Sequence, residues 1–242
     1  MKLHGTQLSL FETRSPNDAF AVRVSERARR LTARVHVGGR VEIVVPVGVG
    51  PKHVREFVRR FSPWIDRKVS AMQCLAEAPD SMPGSIDFPL TGEKFEVQWE
   101  RASPTCLCEV SRSVKVIAPD VRAGRALLQR WLKQAAHHRL APRLMALADS
   151  LKYSVQRVSI RRQRTRWGSC STRGTVSLNC SLVFLRPEVV NYLFVHELAH
   201  TQHMNHSSKF WNLVETIEPN YRRLDRELLA GWRTVPVWVF KN

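Results

Sequence analysis

The chain has 242 residues, 43% of them hydrophobic, enough for one large domain or two modest ones with a core that needs no staples. Lys and Arg number 38 against 21 Asp and Glu, a formal charge of +17, which draws phosphate, nucleic acid or acidic lipid heads without naming one of them. No run approaches the roughly 18 consecutive apolar residues of a membrane helix, the start MKLHGTQLSLFETRS has no apolar signal run, and the five cysteines are odd in number with no CxxC pair, so a soluble protein of a reducing cytoplasm is expected.

In chain order, residues 19–46 alternate apolar and polar positions around Gly38-Gly39, a dipeptide suited to the positive φ angles of a two-residue hairpin. Val54, Phe57, Val58, Phe61, Ile65, Val69 and Met72 then follow at helical spacing, and Ser62-Pro63, read as a cap and first-turn proline, predicts two consecutive helices. After the loop DSMPGS, strand alternation returns in DFPLTGEKFEVQWE and CLCEVSRSVKVIAP, where Cys106 and Cys108 occupy alternate strand positions and are read as packing. A long helix beginning near Asp120, carrying Leu127, Leu128, Trp131, Leu132 and Ala135, is expected to kink or break at Pro142. Two further β runs fill YSVQRVSIRRQRTRWGSCSTRGTVSLNCSLVFL, and Pro187 starts a helix whose Val189, Val190, Leu193, Phe194, Val195 and Leu198 surround most of its circumference, so it is buried. The pattern is α+β: a β-rich unit with inserted helices over residues 1–118, then a second unit over 119–242.

The buried helix ends in HELAH. His196 and His200 are four apart and share one helix face, so two imidazoles can meet one ion, while Glu197 is turned about 100° away, as suits a base beside the metal. Burying these three groups among Val, Leu and Phe costs several kcal/mol unless compensated, and one divalent cation compensates all three. A catalytic zinc takes three protein ligands and keeps an open position. His206, ten residues beyond His196, has the spacing of a third imidazole returned by a turn, with Glu215 on the next helix as the rival of a His₂Glu site. Glycine usually makes that turn. His203 stands in its place, so Asn205 is expected to take the left-handed conformation, with Ser207 or Ser208 capping the helix SKFWNLVETI.

Together RTRWGSCSTRGTVSLNCSLVFL, the proline-started helix ending in HELAH, and MNHSSKFW resemble the YgjP-like metallopeptidase domain, kin of the SprT-like zincins; VEIVVPVGV and the later PWI extend the likeness over nearly the whole chain. The resemblance implies a zincin-like second half with its active-site helix on a small sheet, Zn2+ on His196, His200 and His206, and Glu197 as the catalytic residue. Members carry the labels metallopeptidase, metal-dependent hydrolase and UTP pyrophosphatase.

Three readings follow. The first is a zinc peptidase acting on polypeptide through metal-activated water and the Glu197 base, with an edge strand at Val176 to Leu182 holding the substrate extended. The second is a metal-dependent nucleotide phosphohydrolase in which arginines between Arg157 and Arg173 hold phosphates, strand alternation placing Arg162, Arg164 and Arg166 on one face; it lacks a carboxylate cluster for magnesium. The third is a protein that binds nucleic acid through the same basic segment and holds a structural metal, for which Cys170 and Cys180 are the only nearby thiols. Trp167-Gly168-Ser169-Cys170 is read as shaping the cleft or as a tight turn under an indole, and Asn179 as orienting a neighbour.

Overall fold

The computed structural model describes residues 20–35, 39–77 and 81–241, and the chain divides into two compact units, Met1–Pro79 and Asp80–Asn242. Among the described residues no helix is long and apolar enough to cross a membrane. The mixture of small sheets and helices is α+β.

In the first unit, β1 (Ala21–Ser25), β2 (Thr32–Val35) and β3 (Val41–Pro46) form a sheet of order β1-β3-β2, followed by α1 (Pro51–Glu77). Alternation sends Val41, Ile43 and Val45 to one face, where they pack with Val54 and Ile65 of α1. The β2–β3 hairpin forms, but its last pair is Val35 with Val41, so the connection is residues 36–40 and not a two-residue turn. Register explains the difference. A turn confined to residues 38–39 would set Ala33 and Val35 opposite Val44 and Glu42 of the other sheet face, whereas the observed pairing sets them opposite Ile43 and Val41, which pack against α1. Gly39 adopts φ 82°, and Gly38 lies outside the described residues.

Two expected helix breaks do not occur: α1 runs through Pro63, and α2 (Val121–Ser150) runs through Pro142. Each proline costs a backbone hydrogen bond. Both, however, sit on exposed faces, while Ile65 in α1 and Leu140, Leu144 and Ala148 in α2 continue the buried stripe past them, and that packing holds the helices continuous.

In the second unit, β4 (Ser85–Phe88), β5 (Glu93–Arg101), β6 (Cys106–Val110) and β7 (Ser113–Ala118) form a sheet of order β4-β5-β7-β6. Val114, Val116 and Ala118 are buried, α2 crosses this sheet, and Phe88, Phe95 and Trp131 form an aromatic cluster with ring centroids 5.2 to 5.8 Å apart. Because α2 closes over β7, the division expected between 118 and 119 falls inside this unit. Asp120 caps α2, its carboxylate accepting from the Ala123 amide at 2.7 Å. Cys106 and Cys108 do alternate on β6, but both are exposed on an edge strand and do not pack in the core.

A third sheet, β8 (Arg157–Arg161), β9 (Gly168–Cys170) and β10 (Thr175–Asn179), has the order β8-β10-β9. It leads through a 3-10 turn at Cys180–Phe184 into α3 (Pro187–Ala199), then α4 (Ser208–Ile217) and α5 (Tyr221–Ala230). Pro187 opens α3 at its first turn, and Tyr192 donates to Asp225 Oδ1 at 2.8 Å, tying α3 to α5.

Candidate metal centre

The last turn of α3 presents His196, Glu197 and His200. One residue beyond Ala199 the chain leaves the helix through main-chain bonds back to it: Thr201 to Leu198 at 2.9 Å, Gln202 to Ala199 at 3.1 Å and His203 to Ala199 at 2.9 Å. These tight turns of right-handed sense bring His206 round without a left-handed residue. Ser111 and Lys152 are the non-glycine residues at positive φ among those described, so Asn205 does not make the reversal expected of it. Ser207 stands at the cap position of α4, without a side-chain capping bond.

The result is a group of three imidazoles, His196, His200 and His206, whose candidate ligand nitrogens lie within 4.8 Å of one another. His196 Nε2 and His206 Nε2 are 3.1 Å apart; two nitrogens bound tetrahedrally to one zinc at about 2.0 Å would be roughly 3.3 Å apart. His200 Nδ1 lies 3.0 Å from the His203 carbonyl, a contact that fixes Nδ1 as the donor and leaves Nε2 for an ion. The role of His203 is therefore carried by its backbone. Glu215, the rival third ligand, is not in the group, and neither are Cys170 and Cys180.

Phe210 of α4, fully buried, lies under all three imidazoles with centroid distances of 5.0, 4.6 and 4.7 Å, and Trp211 stacks on His206 at 5.5 Å. In the sequence, Phe210 and Trp211 stand out only as part of the capped helix SKFWNLVETI and of the MNHSSKFW resemblance; the signal for their role is the placement one turn after His206, where the following helix closes beneath the imidazoles.

Burial governs the charges. Desolvation, aided by the neighbouring His200 and His206, takes His196 down to about 3, and burial also lowers His200, so both present neutral nitrogens of the kind a cation needs. Glu197 is 4% exposed, and burial pushes its carboxyl up to about 8. Its Oε2 has no hydrogen-bond partner among the described residues. An orphaned carboxyl oxygen beside a group of three imidazoles fits a bound divalent cation with its water, and fits a satisfied structural cluster poorly.

The basic segment is built differently from expectation. β8 ends at Arg161, so Arg162, Arg164 and Arg166 lie in a loop and not on one strand face. Arg162 donates to the Val239 carbonyl at 3.0 Å and Arg164 to that of Phe240 at 2.7 Å, fastening the C-terminal segment. Asn179, fully buried, pins the same loop by donating to the carbonyls of Gln163 at 2.8 Å and Arg166 at 2.7 Å. Nor is Val176 to Leu182 an edge strand: β10 is flanked on both sides, residues 180–184 are a 3-10 turn, and the edge beside Glu197 is β9. Trp167, just before β9, stacks on Trp232 at 4.0 Å, which brings the C-terminal segment against the strand that meets Glu197.

No match is found among curated proteins. The crystal structure of the metallopeptidase zymogen abylysin of Pyrococcus abyssi is 27% identical, covering 39% of this chain and 95% of that one, with a TM-score of 0.36. The family model described as YgjP-like, metallopeptidase domain, matches residues 29–230, which take in β2 and β3 of the first sheet as well as the histidine group, and the chain accordingly belongs to the YgjP-like metallopeptidase domain family.

Proposed function

We propose that this chain is a zinc-dependent peptidase that hydrolyses peptide bonds, with His196, His200 and His206 as the metal ligands and Glu197 as the general base. The observation that carries the reading is the convergence of three imidazoles beside a buried carboxylate oxygen without a partner. Zinc supplies a Lewis acid and a bound water whose pKa is near about 7. Glu197 Oε2 takes the proton of the attacking water and returns it to the leaving amine. His203 holds His200 in the tautomer that ligates, through its carbonyl, and Phe210 fixes the planes of all three rings. A three-histidine site keeps one position open for water, and Arg162 and Arg164, two of the arginines available to a nucleotide clamp, each spend a donor on a backbone carbonyl, of Val239 and Phe240, which weighs against the phosphate reading.

The test is metal analysis with a peptidase assay on unfolded protein. Purified chain is expected to hold about one zinc, to lose cleavage on chelation and to regain it with zinc. His206→Ala is expected to weaken zinc retention by at least about 100-fold, and Glu215→Ala to leave it intact. Folded protein without zinc, or phosphate release from nucleoside triphosphates without peptide cleavage, overturns the reading.

A further inference from the structure

The motif Trp167-Gly168-Ser169-Cys170 has no part in holding a metal, yet it lies against the base. A side-chain carbon placed on Gly168 would stand 2.8 Å from Cδ and 2.9 Å from Cγ of Glu197, and closer still to Oε1. Cβ contacts under 3.0 Å do not occur in proteins, so any other residue here must displace either strand β9 or the carboxylate. Space alone makes the demand, because Gly168 is not among the glycines at positive φ.

Neither party can yield easily. The strand is fixed from behind, where Asn179 donates its backbone N–H to the Trp167 carbonyl at 2.8 Å, β9 pairs Gly168 with Leu178 of β10, and Trp167 is buried under Trp232. The carboxylate is 4% exposed on a helix buried nearly all round. Cys170, two residues along β9 and therefore on the same face, also lies near enough for the Glu197 charge to act on its thiol, after burial, in raising it.

We propose that Gly168 is a positioning residue for Glu197: the bare backbone of β9 forms the wall that aims the Glu197 carboxylate at the histidine group, and the absence of a side chain at this position is a requirement of turnover. The inference rests on Glu197 acting as the base of the proposed peptidase. The motif is then one device, in which Trp167 and Asn179 anchor the strand and Gly168 meets the catalytic group.

Two measurements test it, and the first needs no substrate. In a thermal-melt cycle on the metal-free protein, Gly168→Ala is expected to lower Tm by roughly 5 °C or more. The same change is expected to cost little in Glu197→Ala, where the side chain it strikes is gone, and its full amount in Glu197→Gln, which keeps the shape. An equal cost in all three backgrounds overturns the proposal. The second is steady-state cleavage. Gly168→Ala, zinc-loaded to the wild-type stoichiometry, is expected to lose about 100-fold or more in kcat with KM nearly unchanged; wild-type kcat overturns the positioning role. If wild type cleaves no peptide, the functional reading fails while the melt cycle still decides whether Gly168 seats Glu197.

Discussion

Glu93 and Glu197 are two acidic residues in the same unit, the first half-buried and the second buried, and their surroundings are opposite. On β5, Glu93 faces Arg139 of α2 through Nη2–Oε1 at 2.8 Å and Nε–Oε2 at 2.5 Å, and Thr91 adds a hydroxyl donor. The Arg139 hydrogen bond takes its carboxyl down to about 2, against the opposing effect of burial. Arg139 also lies over the rings of Phe88 and Phe95, at 5.2 and 5.4 Å. Glu197 has only burial, and stands at about 8. A structural carboxylate is satisfied by its own fold, whereas one left unsatisfied waits for something the chain itself does not supply.

The largest effect that sharpens this contrast comes from Glu197→Gln. Removing the proton acceptor is expected to lower peptide cleavage by about 100- to 10,000-fold. Zinc content is expected to stay, because the proposed ligands are the three histidines. Stability in the metal-free protein should stay within about 1 kcal/mol or rise, since no partner loses its bond. Full activity in a zinc-loaded Glu197→Gln protein would remove Glu197 from the chemistry, and a large loss of stability would show a structural partner.

Glu93→Gln should do the reverse. It breaks the two-bonded pair and leaves Arg139 partly buried without its counter-charge, an expected loss of about 2 kcal/mol read by denaturant unfolding, with cleavage per folded molecule unchanged. The pH dependence follows from the lowered carboxyl. Its stabilisation is complete above the ordinary 4.5 and is lost as pH falls from there through about 2, where the folded form takes up the proton. Wild type should lose stability across that window, and Glu93→Gln should lose less. Parallel acid limbs in the two proteins would show that the pair does not stabilise the fold.

HELAH and the ten-residue step to His206 were readable because helical period and ligand count constrain them directly, and the alternation of β3 and β7 was readable for the same kind of reason. What escaped depends on distant partners. Pro63 and Pro142 look like breaks until their exposed faces are known. Arg162 and Arg164 look like a charged strand face until the carbonyls 76 and 77 residues away appear. Gly168 is a turn residue by its letter and a steric requirement by its neighbour, which lies 29 residues on in the chain.

His203 gives the smallest expected effect and the finest distinction. Glycine is common at such a turn because it admits a left-handed conformation, so a histidine there looks like a weak point. This turn has no left-handed residue, and the contribution of His203 to the site is the carbonyl that His200 Nδ1 meets at 3.0 Å. Any residue supplies that carbonyl. His203→Ala is therefore expected to change stability by less than about 0.5 kcal/mol and to leave zinc content and kcat near wild type. Loss of zinc in His203→Ala would mean that its imidazole takes part at the metal. His203→Pro separates the two contributions differently: it deletes the N–H that bonds Ala199 at 2.9 Å, and so loosens the turn that carries His206 while leaving the carbonyl in the chain.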